Sequence, residues 1–322
     1  MQTILDIIVP VFGLIAIGYI AGRVKLLSEE VGRALAQFVF VVAVPCLLFR
    51  SLSQASFGDA NPLTLWIAYF SSVAIAWALG TVIVRWVAKA DHRTGVIAGI
   101  SASFANTIFV ALPTLQRAYG DAGLEPLLVI VAIHLPVMMI ASTLMVERAI
   151  HLDRRTETGP EQSPASLLDI ARRTGRNLAT NSIIIGIVLG LVWRLTGLPL
   201  TGHFDEITRL VGSTAGPLAL FSLGMSLTRY GLKGDLLSAS CIAVISLIVQ
   251  PGLVWIIGLE LGLTDLWLKG AVLTAAAPAG VNAYLFAAYF GTGEKLAATT
   301  ILLSTILSVI TLSGWLIVLG AG

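Results

Sequence analysis

Two asparagines in apolar surroundings, Asn106 and Asn282, are the residues whose type and placement could do chemistry. Each lies in a stretch apolar enough for a membrane-spanning helix, and each has a proline nearby, Pro113 and Pro278. Proline removes a backbone donor and clashes with the preceding turn, so both helices are predicted to break or kink there. Backbone groups freed at membrane depth persist only where protein buries them or where they line a wet cavity. A half-helix N-terminus offers free N–H groups and about half a positive charge. Two such ends meeting near the midplane would make an anion site. Amide side chains, helped by the hydroxyl of Thr107, add donors without a fixed charge, which suits a carboxylate that must be released again. The plainer alternative for each asparagine is a hydrogen bond to a neighbouring helix, worth about 0.6 kcal/mol on average.

His134 stands just before a Leu135-Pro136 step in another apolar stretch. A histidine titrates near neutrality, so it could carry a proton with the substrate. It could equally hold a carbonyl freed by Pro136. Asp6, about one turn inside the first apolar segment, is the other candidate for proton coupling. Gln250-Pro251 is a further polar break, read here as a kink. No acidic pair is buried in the pattern, and no HExxH, GxSxG, P-loop or paired intramembrane aspartates occur. The sequence therefore points away from an enzyme. Cys46 and Cys241 fall inside apolar spans, where a thiol behaves as a small hydrophobe. Neither a metal nor a cofactor is expected.

The elements that must position these residues are membrane helices. The chain is 57% hydrophobic and 12% charged, with a mean hydropathy of +0.90, whereas soluble domains carry roughly 25% charged residues. Ten spans can be drawn, at 4–22, 34–53, 63–86, 95–117, 126–147, 178–198, 208–228, 236–259, 267–290 and 296–319. The odd-numbered loops hold most of the 20 Lys and Arg residues. The positive-inside rule then places those loops in the cytoplasm and both termini outside. The opening residues lack the basic segment of a secretory signal, so the first span is expected to be retained.

Residues 148–177 form the one long connection. Thr156–Pro164 has the turn formers of a flexible linker, and Ser166–Asn177 alternates apolar and basic residues. That second part fits either an amphipathic helix on the inner leaflet or a solvated joint. It divides the chain into 1–147, 148–177 and 178–322, with five spans in each outer part. An odd number of spans inserts the second half upside down relative to the first, the arrangement of an inverted repeat. Pro45 and Phe49 find counterparts in Pro217 and Phe221, Asn106 in Asn282, and Gly18 and Gly22 in Gly186 and Gly190. The expected fold is all-α: ten transmembrane helices in a 5+5 inverted repeat, with broken helices 4 and 9 crossing.

Asn106-Thr107, Pro113 and Ala118-Tyr119-Gly120 together resemble a run of the auxin efflux carrier family, which includes the plant PIN-FORMED carriers and bacterial carriers of small acids. Ala43-Val44-Pro45 with Phe49, and Pro278 with Gly280-Val281, resemble two further family segments. The resemblance covers essentially all of the apolar chain. It implies a scaffold of spans 1, 2, 6 and 7 that dimerises, and a transport domain of spans 3–5 and 8–10. It also implies organic anion transport by elevator-like alternating access. Carried over residue by residue, it implies substrate contacts at Asn106 and His134; with Thr107, Gly280, Val281 and Asn282 these make up the expected substrate site. Asn282 falls where the plant carriers have the crossover proline, so Pro278 is left to supply that break. The long central loop of many plant members is absent, which points to a compact carrier of a bacterial inner membrane with a small mono- or dicarboxylate as substrate. Proton-linked or potential-driven movement is favoured over sodium. An anion channel or a transporter-like sensor is the alternative, although no ring of charges or carbonyl-rich filter is present.

Overall fold

The computed structural model describes residues 2–54, 61–156, 176, 179–230 and 235–320. Among these the chain is helical, apart from connecting turns and one isolated bridge. In order the helices are α1 (Gln2–Arg23), α2 (Glu29–Phe38), α3 (Val44–Gln54), α4 (Pro62–Val87) and α5 (His92–Ser103). There follow α6 (Leu112–Tyr119), α7 (Leu124–Thr156), α8 (Ser182–Leu195), α9 (Gly202–Ser213) and α10 (Ala215–Leu227). The last are α11 (Leu236–Val244), α12 (Gln250–Glu260), α13 (Asp265–Ala275), α14 (Val281–Phe290) and α15 (Glu294–Val318). Among the described residues seven helical stretches are long and apolar enough to cross a membrane, including Glu29–Gln54, Gly202–Leu227 and Leu236–Glu260, each of which joins two of these helices. The spans expected at 95–117 and 267–290 are each divided in two, and the span expected at 178–198 contains the 14-residue helix α8.

Proline acts here in a way that the spacing alone does not foretell. Three π-helical turns, Val39–Ala43, Thr107–Ala111 and Ile245–Val249, each end two residues before a proline: Pro45, Pro113 and Pro251. A widened turn moves the carbonyls that the proline ring would strike and lets the helix pass through. Pro113 is therefore not the break predicted for it; it sits in the first turn of α6, inside continuous helix. The chain leaves helical geometry earlier, between Ser103 and Thr107. At Pro251 the accounting can be followed atom by atom. The Leu247 carbonyl, four residues back, loses its donor to the proline and instead accepts from the Trp315 indole N–H at 2.9 Å.

Small residues let backbones meet. α1 packs along α10, and α3 along α8. A Cβ on Gly18 would strike the Phe221 carbonyl, and one on Gly190 would lie 2.8 Å from the Phe49 carbonyl. Close backbone approach of this kind is how helices associate where lipid removes the hydrophobic drive. A second group of helices packs among itself: α4 lies against α5 and α12, α13 against α12 and α7, and α15 against α11.

Helix α7 runs on to Thr156, so the first residues of the expected linker are helical. Its far end is tied to the start of α5 through Asp153. That carboxylate accepts from the His92 and Arg93 amides, at 3.0 and 3.2 Å, and meets the His92 ring at 2.7 Å. Burial pushes the Asp153 carboxyl up, but these hydrogen bonds outweigh it and hold the group below its ordinary range. The amphipathic segment expected at Ser166–Asn177 lies outside the described residues, save for Arg176.

Candidate functional site

Helix α5 ends at Ser103, and the chain runs through Phe104, Ala105 and Asn106 before helix resumes at Thr107. Asn106 caps the restart: its Oδ1 accepts from the Phe109 amide at 3.2 Å, the part that asparagine plays at a helix N-terminus. The second break follows α13. Pro278 biases Ala277 away from helical geometry, and α14 begins after Gly280.

The two broken stretches pair with each other. Asn106 N–H donates to the Pro278 carbonyl at 2.8 Å, and Gly280 N–H donates to the Phe104 carbonyl at 2.7 Å. Ala105 faces Ala279 in an antiparallel bridge. Gly280 has a steric reason to be glycine, since a Cβ there would lie 2.9 Å from the Phe104 carbonyl oxygen. Two fully buried side chains serve further groups. The Ala279 amide donates to Ser304 Oγ at 3.1 Å, and Gln250 Nε2 donates to the Ser103 carbonyl at 3.2 Å. Gln250 thus belongs to the support of the break and is more than a marker of a kink.

Beside this pairing lies a cavity of about 420 Å³. Thr107 and Phe104 line it from the first break, Asn282 and Leu285 from α14, and His134 from α7. The π turn ahead of Pro45 contributes Phe40 and Val41, and the start of α8 contributes residues 180–184. Among the described residues that line it there is no Asp, Glu, Lys or Arg. His134 is only 2% exposed, and its ring lies 4.9 Å from that of Phe104 and 5.4 Å from that of Tyr69. Among the described residues neither of its ring nitrogens finds a hydrogen-bond partner, nor does Asn106 Nδ2. Buried polar atoms are rarely left so, because each costs its full desolvation. The reading of His134 as bound to a carbonyl freed by Pro136 is therefore not what the structure shows.

The predicted residues fall into three groups. Thr107, His134 and Asn282 share the cavity. Asn106 and Gly280 sit at the backbone pairing and do not line the cavity, while Val281 packs on the neighbouring apolar core. Asp6 is exposed on α1, where its carbonyl accepts from Arg117 at 3.4 Å, and it takes no part in the cavity. Sequence reasoning missed Thr180, Asn181 and Ser182. An Asn directly ahead of an apolar run is a readable helix-start signal, but nothing in the spacing says that this start faces the site.

Residues 3–316 match the family described as Membrane transport protein. The chain belongs to that family, the family of the auxin efflux carriers. A protein of Rhizobium meliloti (strain 1021) named "Putative malonate transporter" is 25% identical over 325 residues, covering 100% of this chain and 98% of its own. "Auxin efflux carrier component 8" of Arabidopsis thaliana is 23% identical, with 93% of each chain covered. The "Lysosomal cholesterol signaling protein" of Mus musculus is 22% identical over 95% of this chain but only 36% of its own length. This member of the membrane transport protein family is thus a multi-pass membrane transporter and not an enzyme.

The pairing of the two breaks can be tested directly. Gly280→Ala should push Phe104 and Gly280 apart, and amide exchange at Asn106 and Gly280 should accelerate by about tenfold or more as local opening becomes easier. Gly314→Ala, whose Cβ enters open space, should leave both amides as slow as in the wild type. Equal exchange in the two variants would mean that the bridge does not hold the breaks.

Proposed function

We propose that the chain is a secondary transporter of a small organic anion, a mono- or dicarboxylate, bound in the cavity where the two broken helices meet. One observation carries the reading: the backbone pairing brings Asn282 and the start of α14 to a cavity that also holds Thr107 and His134 and whose described lining residues are uncharged. A half-helix N-terminus supplies partial positive charge, and amide, hydroxyl and imidazole donors supply direction. The match to a relative named for malonate supports a carboxylate.

Within this reading the ten expected spans form a 5+5 inverted repeat in which α5–α6 and α13–α14 cross. Glycine packing supports the symmetry. Gly18 meets Phe221 and Gly190 meets Phe49, and both 221 − 49 and 190 − 18 give 172. Gly18 therefore pairs better with Gly190 than with Gly186. Helices α1–α3 and α8–α10 would form a scaffold that dimerises, and α4–α7 with α11–α15 an elevator-like moving part. Inner-membrane placement, with both termini outside and the 148–177 connection in the cytoplasm, follows from the Lys and Arg distribution. A second reading, a sensor that binds without transport, draws on the mouse relative named for signaling. An ion channel is the third.

Reconstituted protein in liposomes separates these readings. Saturable, counterflow-competent uptake of a labelled carboxylate supports a carrier, unitary currents a channel, and binding without flux a sensor. Asn282→Ala should raise the dissociation constant of the transported carboxylate about tenfold to hundredfold, the cost of a hydrogen bond to a charged group, with little change in thermal stability. Asn106→Ala should lower stability, because it removes a helix cap worth about 0.5–2 kcal/mol, and should touch affinity only through the loosened break. Wild-type affinity in Asn282→Ala would remove Asn282 from the site.

For coupling we favour a proton over sodium, with His134 as the carrier. His134→Gln should then flatten the pH dependence of uptake while some transport persists. An unaltered pH profile would take His134 out of the coupling.

A further inference from the structure

Beside the bridge lies a group of buried oxygens that neither the cavity nor the backbone pairing uses. Ser246, Gln250 and Thr300 have no exposed surface, and among the described residues Ser246 Oγ, Gln250 Oε1 and Thr300 Oγ1 find no hydrogen-bond partner. A helical hydroxyl can always bond back to the preceding turn. Ser101, Ser103, Thr274 and Thr305 do so, at 2.6–2.8 Å. Ser246 and Thr300 do not. Gln250 spends its Nε2 on the Ser103 carbonyl at 3.2 Å, which leaves Oε1, an acceptor only, as the free atom.

Helix geometry brings the three together. Ala98 and Ala102 of α5, Ala239 and Ile242 of α11, and Leu296 of α15 belong to one apolar cluster, and these three helices pack on one another. Ser246 comes four residues after Ile242 and Thr300 four after Leu296, so each extends its helix's face of that cluster by about one turn. Gln250 meets Ser103, next to Ala102, and Ser304, four residues beyond Thr300, accepts from Ala279 in the bridge. The oxygens therefore gather beside the last turn of α5, whose carbonyls carry the partial negative charge of a helix C-terminus. Where a membrane span is broken, such an end can take a cation.

We propose that the crossing binds a monovalent alkali cation, ligated by Ser246 Oγ, Gln250 Oε1, Thr300 Oγ1 and carbonyls of the last turn of α5. Every one of these ligands is neutral, whereas Ca²⁺ and Mg²⁺ sites are built around carboxylates. Among the described residues no group of three or more His, Cys, Asp or Glu could hold a metal. None of the three side chains lines the cavity, so the site is separate from the one assigned to the anion. The cation steadies the breaks, apart from the proton favoured for coupling, and the proposal does not depend on which anion is carried.

Thermal unfolding of the purified protein tests it, in sodium, potassium and N-methylglucamine chloride at equal ionic strength. At about ten times its dissociation constant the bound alkali cation should raise the midpoint by roughly 2–4 °C over N-methylglucamine, and the rise should saturate. Ser246→Ala and Thr300→Val each delete a ligand without breaking a hydrogen bond. Each should melt as the wild type does in N-methylglucamine and lose the rise in the alkali salts. Ser142→Ala deletes another buried, unpartnered hydroxyl, on α7, and should keep the full response. If the wild type melts alike in all three salts, the oxygens hold no cation and the proposal is overturned. A saturable rise that persists in both Ser246→Ala and Thr300→Val overturns it as well, because the cation then binds elsewhere.

Discussion

Everything in this molecule depends on two helices stopping inside the packed interior and satisfying each other. A buried, unpaired backbone group costs as much as a lost hydrogen bond, and in lipid there is no water to make up the loss. The chain meets this constraint by laying Phe104–Asn106 against Pro278–Gly280 as a two-residue antiparallel bridge. Ser304 and Gln250 take up further groups, and both are fully buried. The bridge makes the breaks affordable, and the breaks bring helix starts into the middle of the protein. A side chain at 280 would crowd the Phe104 carbonyl and loosen the pairing on which both breaks depend.

A neutral site follows from the same physics. A fixed charge at membrane depth is expensive and would hold a counter-ion tightly. Helix starts and amide donors give partial charge without that cost, and they allow release. The described residues that line the cavity have this character, with imidazole, amide and hydroxyl groups set among aromatic and aliphatic ones. Charge is kept at the periphery, as at Asp153, where a carboxylate pins the end of α7 to the start of α5.

Much of this was legible before any coordinates. Asn106, Asn282 and His134 stood out because polar residues are conspicuous in an apolar run, and Pro278 marked a true break. Pro113 misled, because a proline stops a helix only if the preceding turn cannot widen, and here it widens into a π turn. The same device precedes Pro45 and Pro251, so proline position alone could not separate a break from a passage. The parts played by Ser304 and Gln250 were invisible, since each serves a carbonyl or amide far away in sequence. Asn181 was readable as a helix cap, but its place at the cavity depends on how α8 packs, which local pattern does not encode. Asp6 looked promising by type and proved to be exposed.

The central claim is that substrate occupies the space between the two breaks, next to Asn282. Alkylation of a single introduced thiol measures this most directly. With Cys46→Ser and Cys241→Ser as background, Asn282→Cys and Asp6→Cys are each treated with a small water-soluble maleimide, with and without the transported carboxylate. At about ten times its dissociation constant the ligand should slow the reaction at position 282 roughly tenfold, in proportion to the fraction of free sites, and leave position 6 unaffected. Equal rates at position 282 with and without carboxylate, in protein that still transports it, would contradict the account.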